Sequence, residues 1–321
     1  MAILRTTCLV VGRCRKVDII NHSFTLFGSK IAFLLEKNYL CSAVLYKYMY
    51  MTTTKMFATL TMTIATLLVA CGVGANKNSE EQEQQQEQTA YLASQYDFRI
   101  VEQHKHSTTS YTQGLQYVDG VMWEGTGREG RSHLQRIDLT SGECDIVASL
   151  PKSEFGEGIT HHNSRIYQLT WENNKAYVYD NKGTRIKTIP YKGEGWGITS
   201  DGERLYMSDG SSAIRIVNQD SFTTEGIINV TVNGMSLDLL NELEWIEGTI
   251  WANIYLADLI VEIDPKSGKV IGYVDLEPLR SLLKNNPEAE ALNGIAYNSQ
   301  TKHLYVTGKD WNTIFEIEIY K

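Results

Sequence analysis

From residue 96 onward, apolar and polar positions alternate in short runs separated by turn residues, the period-two pattern of strands whose two faces see different surroundings. The runs recur. Five lines stand in register: Gln113-Gly-Leu-Gln-Tyr with Trp123, Glu157-Gly-Ile-Thr with Tyr167, Trp196-Gly-Ile-Thr with Tyr206, Asn241-Glu-Leu-Glu-Trp with Trp251, and Asn293-Gly-Ile-Ala-Tyr with Tyr305. Their first positions are separated by 44, 39, 45 and 52 residues, and the paired aromatics by 44, 39, 45 and 54. Two markers keeping one irregular spacing define a repeat. Third strands are predicted over 134–139, 176–180, 213–218, 259–264 and 314–319, and fourth strands over 144–150, 185–190, 225–232 and 270–276. Four short strands per unit with a period near 40–45 residues are the signature of propeller blades. The expected fold is therefore all-β, a five-bladed β-propeller. The fifth unit ends after its third strand, and an orphan run over 96–104 precedes the first. That run is expected to pair as the outer strand of the last blade and close the ring, removing an exposed edge. One short helical insertion is predicted over 277–291, with Pro278 near its start, Leu279, Leu282 and Leu283 on one face and a second proline at 287; it would cap one end of the channel.

The chain ahead of the repeats has a different character. Lys55 is followed by an uncharged, mostly apolar stretch over 57–70 that ends in Leu68-Val69-Ala70-Cys71-Gly72. This stretch is too short to span a bilayer comfortably and ends in small residues, as an export signal does. The tetrad ending at Cys71 is similar to a bacterial lipobox, which makes Cys71 the lipid-modified first residue of a mature protein; the plainer alternative is an ordinary signal peptide with an incidental cysteine. The division expected is then 1–50 as an over-extended or disordered leader, 51–71 as a lipoprotein signal peptide, 72–95 as a flexible Glu/Gln-rich linker, and 96–321 as the folded body. The localisation that follows is the bacterial cell envelope, with the body, expected to be a monomer, held to a membrane through lipidated Cys71 on its periplasmic or outer surface.

Charge sharpens this division. The net charge of −8 conceals eight basic and two acidic residues over 1–71, which leaves 22 basic against 36 acidic in the rest. An acidic body without a basic, aromatic-laced stripe excludes nucleic acid as a partner. Eighteen tyrosines and six tryptophans suit half-buried strands. Four of the five cysteines, Cys8, Cys14, Cys41 and Cys71, lie ahead of the repeats, so Cys144 alone can make neither a disulfide framework nor a metal cluster.

Several local motifs carry little. Gly125-Thr-Gly127-Arg-Glu-Gly130 spells a dinucleotide fingerprint, but a strand-like segment follows it where the fingerprint needs a helix. His161-His162 has no third ligand at a usual metal spacing and reads as a solvated loop pair. No Gly-x-Ser-x-Gly elbow is present, and Cys144 has no histidine nearby, which removes nucleophilic catalysis. No cofactor or metal is expected.

The five register-matched slots remain. The first strand of each blade lines a propeller's channel, so Gln113, Glu157, Trp196, Asn241 and Asn293 should converge, with Trp171, Tyr255 and Lys309 at the mouth. Such groups can be a satisfied structural plug; one carboxylate, three amides and an indole make an odd one. A carboxylate walled by aromatics holds its proton more tightly than in water, which suits acid–base work near neutrality.

The segments Tyr111-Thr-Gln-Gly-Leu, Phe155-Gly-Glu-Gly-Ile-Thr, Gly195-Trp-Gly-Ile-Thr-Ser-Asp-Gly, Leu240-Asn-Glu-Leu-Glu, Trp251-Ala-Asn-Ile and Val306-Thr-Gly-Lys-Asp-Trp resemble the plant- and bacterial-type glutaminyl-peptide cyclotransferases. The resemblance covers 96–321. It implies a five-bladed propeller that converts the N-terminal glutamine of a peptide or protein to pyroglutamate and releases ammonia, without the catalytic zinc of the animal-type enzymes. It further implies Glu157 as the proton-transfer group and Gln113, Trp171, Trp196, Asn241 and Lys309 as its other active-site residues; of these, Gln113, Asn241 and Lys309 are expected to be catalytic, with Phe155, Trp171, Trp196, Trp251, Tyr255 and Asn293 around the substrate. Tyr255 departs from the plant pattern, which has tryptophan there. Gln113, Asn241, the Trp196 indole or Lys309 would supply donors to the developing oxyanion. Two competing expectations are a non-catalytic propeller that binds a peptide or sugar, and a metal-dependent hydrolase or lactonase. The latter needs a carboxylate cluster, whereas the slots hold one acid with Glu242 and Glu244 nearby.

Overall fold

The computed structural model describes residues 93–283 and 285–321, so the leader, signal, Cys71 and most of the linker lie outside the described residues. Among the described residues the first strand is β1 (Ser94–Lys105). Four strands follow as the first sheet: β2 (Thr112–Val118), β3 (Val121–Thr126), β4 (His133–Ile137) and β5 (Cys144–Ser149). The second sheet is β6 (Gly156–His162), β7 (Arg165–Thr170), β8 (Lys175–Tyr179) and β9 (Arg185–Pro190). The third is β10 (Ile198–Ser200), β11 (Leu205–Met207), β12 (Ala213–Val217) and β13 (Thr224–Asn229), followed by the small hairpin β14 (Thr231–Val232) and β15 (Met235–Ser236). Then come β16 (Leu240–Ile246), β17 (Thr249–Ile254), β18 (Leu259–Ile263) and β19 (Val270–Asp275), a single helical turn α1 (Glu277–Arg280), and β20 (Leu292–Asn298), β21 (His303–Gly308) and β22 (Thr313–Tyr320). Consecutive strands within each sheet pair antiparallel.

β1 runs antiparallel to β22, from Asp97 opposite Tyr320 to Lys105 opposite Thr313, and lies on the outer side of the last three strands. It also pairs parallel with β19 through Ser94–Tyr96, which fuses the fourth and fifth groups into one eight-stranded sheet. The repeat pattern did not anticipate that second pairing.

Among the described residues the hydrophobic core is divided into five clusters, each shared by two neighbouring strand groups. Trp123, Ile159 and Tyr177 join the first sheet to the second, and Tyr167, Leu169 and Ile198 the second to the third. Tyr206, Leu243 and Val261 join the third to the fourth, and Trp251, Val274 and Phe315 the fourth to the fifth. Leu115, Met122 and Tyr305 join the fifth back to the first. Each of the five marker aromatics sits in a different cluster, buried to 5 % exposure or less. Neighbouring residues of a strand face opposite sides, so Met122 and Trp123 serve two different interfaces. The marker aromatics therefore recur because each sheet must fill one gap with a large ring. Trp251, expected at the substrate, is one of these core rings; it packs against Tyr96 with centroids 5.9 Å apart.

The helix expected over 277–291 is one turn. Pro278 starts it, Asn285 takes a left-handed φ of 59°, and Pro287 offers no N–H to continue a helical ladder. The segment instead tucks Leu276, Leu279 and Leu283 into the core and delivers Glu290, whose N–H donates to the Lys309 carbonyl at 2.8 Å.

Candidate active site

The first strands touch one another in the order β2, β6, β10, β16, β20 and back to β2. Glycine permits this approach. A Cβ on Gly158 would sit 2.7 Å from the Trp196 carbonyl oxygen, and one on Gly114 would collide with the Ile159 amide. At the same end of four of these strands the ladder with the second strand slips: between Thr112 and Gly114, Gly156 and Ile159, Leu240 and Leu243, and Leu292 and Ile295. The residues left out of the pairing include Gln113, Glu157, Asn241 and Asn293. Bulges re-aim side chains and are common beside active sites, and here one bulge per strand sends its polar slot away from the sheet. Trp196 lies just ahead of the short β10.

These slots form a buried floor. Asn293 Nδ2 donates to Gln113 Oε1 at 3.2 Å and to the Thr112 carbonyl at 3.0 Å, and Gln113 Nε2 donates to Glu157 Oε1 at 2.8 Å. The amide chain fixes the Glu157 carboxyl in place. Burial, opposed by the Lys309 charge and aided by Glu194, raises the Glu157 pKa well above the ordinary carboxylate value. Burial also lowers Lys309 to about 8, against the pull of Glu157. Among the described residues, the side-chain oxygens Asn241 Oδ1 and Asn293 Oδ1 are buried without a hydrogen-bond partner. Unsatisfied buried acceptors are costly and mark where a ligand's N–H groups would be welcome.

Above the floor the side chains close a collar. Tyr111 meets Phe155 edge-on at 6.0 Å, and Phe155 meets Trp171 at 5.8 Å. The Trp171 and Trp196 indoles donate to one oxygen of Glu194, at 2.7 and 2.9 Å. Trp196 meets Tyr255 edge-on at 5.6 Å, and Lys309 Nζ lies 4.8 Å from the Tyr255 ring and 4.9 Å from the Tyr111 ring, which completes the circle. Beyond Phe155 and Trp171 a groove of about 390 Å³ continues outward past Arg128, Glu129, Glu172 and Asn173.

Tyr111 and Glu194 escaped the sequence reading, although a signal existed. Both stand two residues ahead of a floor slot, as Phe155 does, and Trp171, Tyr255 and Lys309 stand four residues after a marker aromatic. The two remaining positions of that second set are Gly127 and Gly210. A Cβ on Gly127 would strike the Phe155 ring, and one on Gly210 would lie 2.7 Å from the Trp196 ring. Gly127 of the fingerprint-like motif thus makes room for an aromatic of the collar, and strand β4 follows the motif.

Other expectations change. The Trp196 N–H is committed to Glu194 and one Gln113 N–H to Glu157, so Lys309 and the Asn241 amide remain of the donors expected for an oxyanion. The acid count also rises. Glu242 and Glu244 of β16 are buried at 1 % and 5 % exposure, and the Glu242 oxygens accept the Leu115 and Ile295 amides at 3.3 and 2.9 Å. Burial and each other's proximity raise Glu242 well above its usual value, and burial lifts Glu244 to about 8. His161 and His162 are not a solvated pair; they lie on β6 and face opposite sides. His161 packs edge-on at 5.2 Å from Trp123, while His162 bonds Ser200 Oγ at 2.7 Å and Gln219 Oε1 at 2.9 Å. Cys144 is half-buried, and burial and Glu124 push its thiol up to about 11, which disfavours the thiolate.

Antiparallel four-stranded sheets, arranged so that their first strands meet around a carboxylate, amide and ammonium site, define a propeller-like all-β enzyme. The chain belongs to the glutamine cyclotransferase family, whose sequence profile matches residues 67–319. It is 34 % identical over 229 residues to a glutaminyl-peptide cyclotransferase of Arabidopsis thaliana, covering 70 % of this chain and 71 % of the relative. It is also similar to the crystal structure of Myxococcus xanthus glutaminyl cyclase, with a TM-score of 0.65 and 32 % identity, covering 71 % of this chain and 98 % of that one.

Proposed function

We propose that this chain converts the N-terminal glutamine of a peptide or protein to pyroglutamate with release of ammonia, and that Glu157 carries the proton. The observation that carries the assignment is the Glu157 carboxyl, buried, hydrogen-bonded at 2.8 Å to Gln113 and electrostatically coupled to Lys309, beneath an aromatic collar. The glutamine side chain enters through the collar. Its α-amine attacks the γ-amide carbon, so that a new C–N bond forms while the bond to the amide nitrogen breaks. The proton given up by the amine passes to the Glu157 carboxylate and then to the leaving nitrogen, which departs as ammonia. The Lys309 ammonium faces the transient oxyanion. Asn241 Oδ1 and Asn293 Oδ1 accept N–H groups of the substrate, which holds the side chain folded for an intramolecular attack. The groove past Trp171 receives the residues that follow glutamine. Ammonia release from a glutaminyl peptide, assayed with EDTA present, tests the activity, and Glu157→Gln tests the role.

The same reading makes the five strand groups blades of one ring, closed by β1 on the last blade; the cyclic order of first-strand contacts and the five shared core clusters support it. It also keeps a lipid on Cys71 as the tether that holds the body at the bacterial envelope. Incorporation of a palmitate analogue should depend on Cys71, and an unlabelled wild-type chain would reduce residues 51–71 to a simple secretion signal.

A further inference from the structure

The long strand β1 carries a second cluster of chemistry away from the collar and its floor. The slip in the β1–β22 ladder between Ile100 and Glu102 sets Glu102 opposite Glu316 and His104 opposite Ile314, so Glu102 and His104 share one face with Glu316. On β21, Tyr305 lies opposite Glu316, which puts His303, two residues away, on that face as well. One ligand atom each from Glu102, His104 and Glu316 lies within 4.8 Å of the others. His104 Nε2 is 3.3 Å from Glu316 Oε2, and His303 Nδ1 is 2.6 Å from Glu316 Oε1.

The tautomer of His104 decides what this cluster is for. Its Nδ1 lies 3.1 Å from the Leu139 carbonyl oxygen, which can only accept, so Nδ1 carries the hydrogen. In the neutral ring Nε2 then presents a bare lone pair to a carboxylate oxygen, an arrangement that lacks a cation between the two. An Nδ1–H held by a backbone carbonyl is the outer hydrogen bond that orients metal-ligating histidines. His303, donating to the other Glu316 oxygen, holds that carboxylate in turn. His104 and Glu316 side chains are 9 % and 10 % exposed, while Glu102 is open to solvent, so an ion could enter and keep a water. One imidazole with two carboxylates is a donor set that suits Zn²⁺.

We propose that Glu102, His104 and Glu316 bind a divalent metal of the zinc class, with His303 orienting Glu316, and that the ion pins β1 to β22. Its task is structural: it ties the first strand of the described body to the last, and the Nδ1 bond to Leu139 ties in the turn after the first sheet's third strand as well. The test uses the full chain, stripped with EDTA and titrated with ZnCl₂ at pH 7.5, with calorimetry for stoichiometry and thermal unfolding for stability. One equivalent of zinc bound, with a rise in Tm, is expected in the wild type. His104→Gln should abolish both, and Glu102→Gln, at an exposed position with little bearing on folding, should weaken the zinc Kd by about tenfold or more. Cyclisation should be unchanged by the zinc occupancy of this site. A wild type without a zinc-dependent shift in Tm, or a shift of equal size in Glu102→Gln and His104→Gln, would overturn the site. Such an outcome would leave the cluster as histidine–carboxylate hydrogen bonds alone.

Discussion

Within the proposed site, Glu194 shapes the aromatic collar. One of its oxygens, Oε2, accepts both indole N–H groups and holds Trp171 and Trp196 together in the collar. It also contributes, after burial, to the raised pKa of Glu157. Glu194→Gln weakens two charge-assisted bonds, worth about 1 kcal/mol here, and should lower kcat/KM about fivefold. With that negative charge gone, Glu157 should ionise more easily, so the acid limb of the pH–rate profile should move to lower pH. A loss of rate without movement of that limb would reduce Glu194 to a packing role. On the proposed mechanism, Lys309 sets the other limb. Its pKa of about 8 means that the ammonium, and with it the oxyanion partner, fades as pH rises through that value. The kcat of the wild type should fall above pH about 8, whereas Lys309→Arg, whose guanidinium stays charged past pH 12, should move or erase that fall. An unchanged limb in the variant would assign it to another group.

At the scale of the element, the bulged first strands explain why the floor was legible in the sequence. A polar residue at the slot and an apolar residue two places later is the imprint of one bulge and one return to the sheet, repeated from unit to unit. The collar was half legible, because Tyr111 and Glu194 obey an offset that becomes visible only once Phe155 is seen beside them. The helix was misjudged because Leu279, Leu282 and Leu283 satisfy a helical spacing while Asn285 and Pro287 break the backbone. Trp251, expected at the substrate, packs in the core, and its place among the five marker aromatics was the signal for that. Trp251→Ala should destabilise the chain by about 3–5 kcal/mol through the cavity it opens, while kcat of the folded fraction stays near wild type. Unfolding curves and an active-fraction assay check this; a selective loss of activity at unchanged stability would return Trp251 to the substrate.

For the whole molecule, the four-stranded make-up of the first three sheets was readable from spacing. The coupling of β1 to β19 was not, since only three residue pairs make it and none has a distinctive side-chain pattern. The buried acids Glu242 and Glu244 were undervalued because linear spacing does not tell whether a strand residue turns outward or toward the facing first strands. The five core clusters hold those strands against one another and so fix the floor groups to within hydrogen-bond reach, the condition under which a single carboxyl can move a proton in both directions. That proton transfer is the centre of the account. The most direct test is ammonia release from a glutaminyl peptide by wild type and Glu157→Gln, measured with EDTA present and with thermal unfolding alongside. The expected result is a rate at least about 100-fold lower in the variant at an unchanged Tm; a rate near that of the wild type from the folded variant would contradict it.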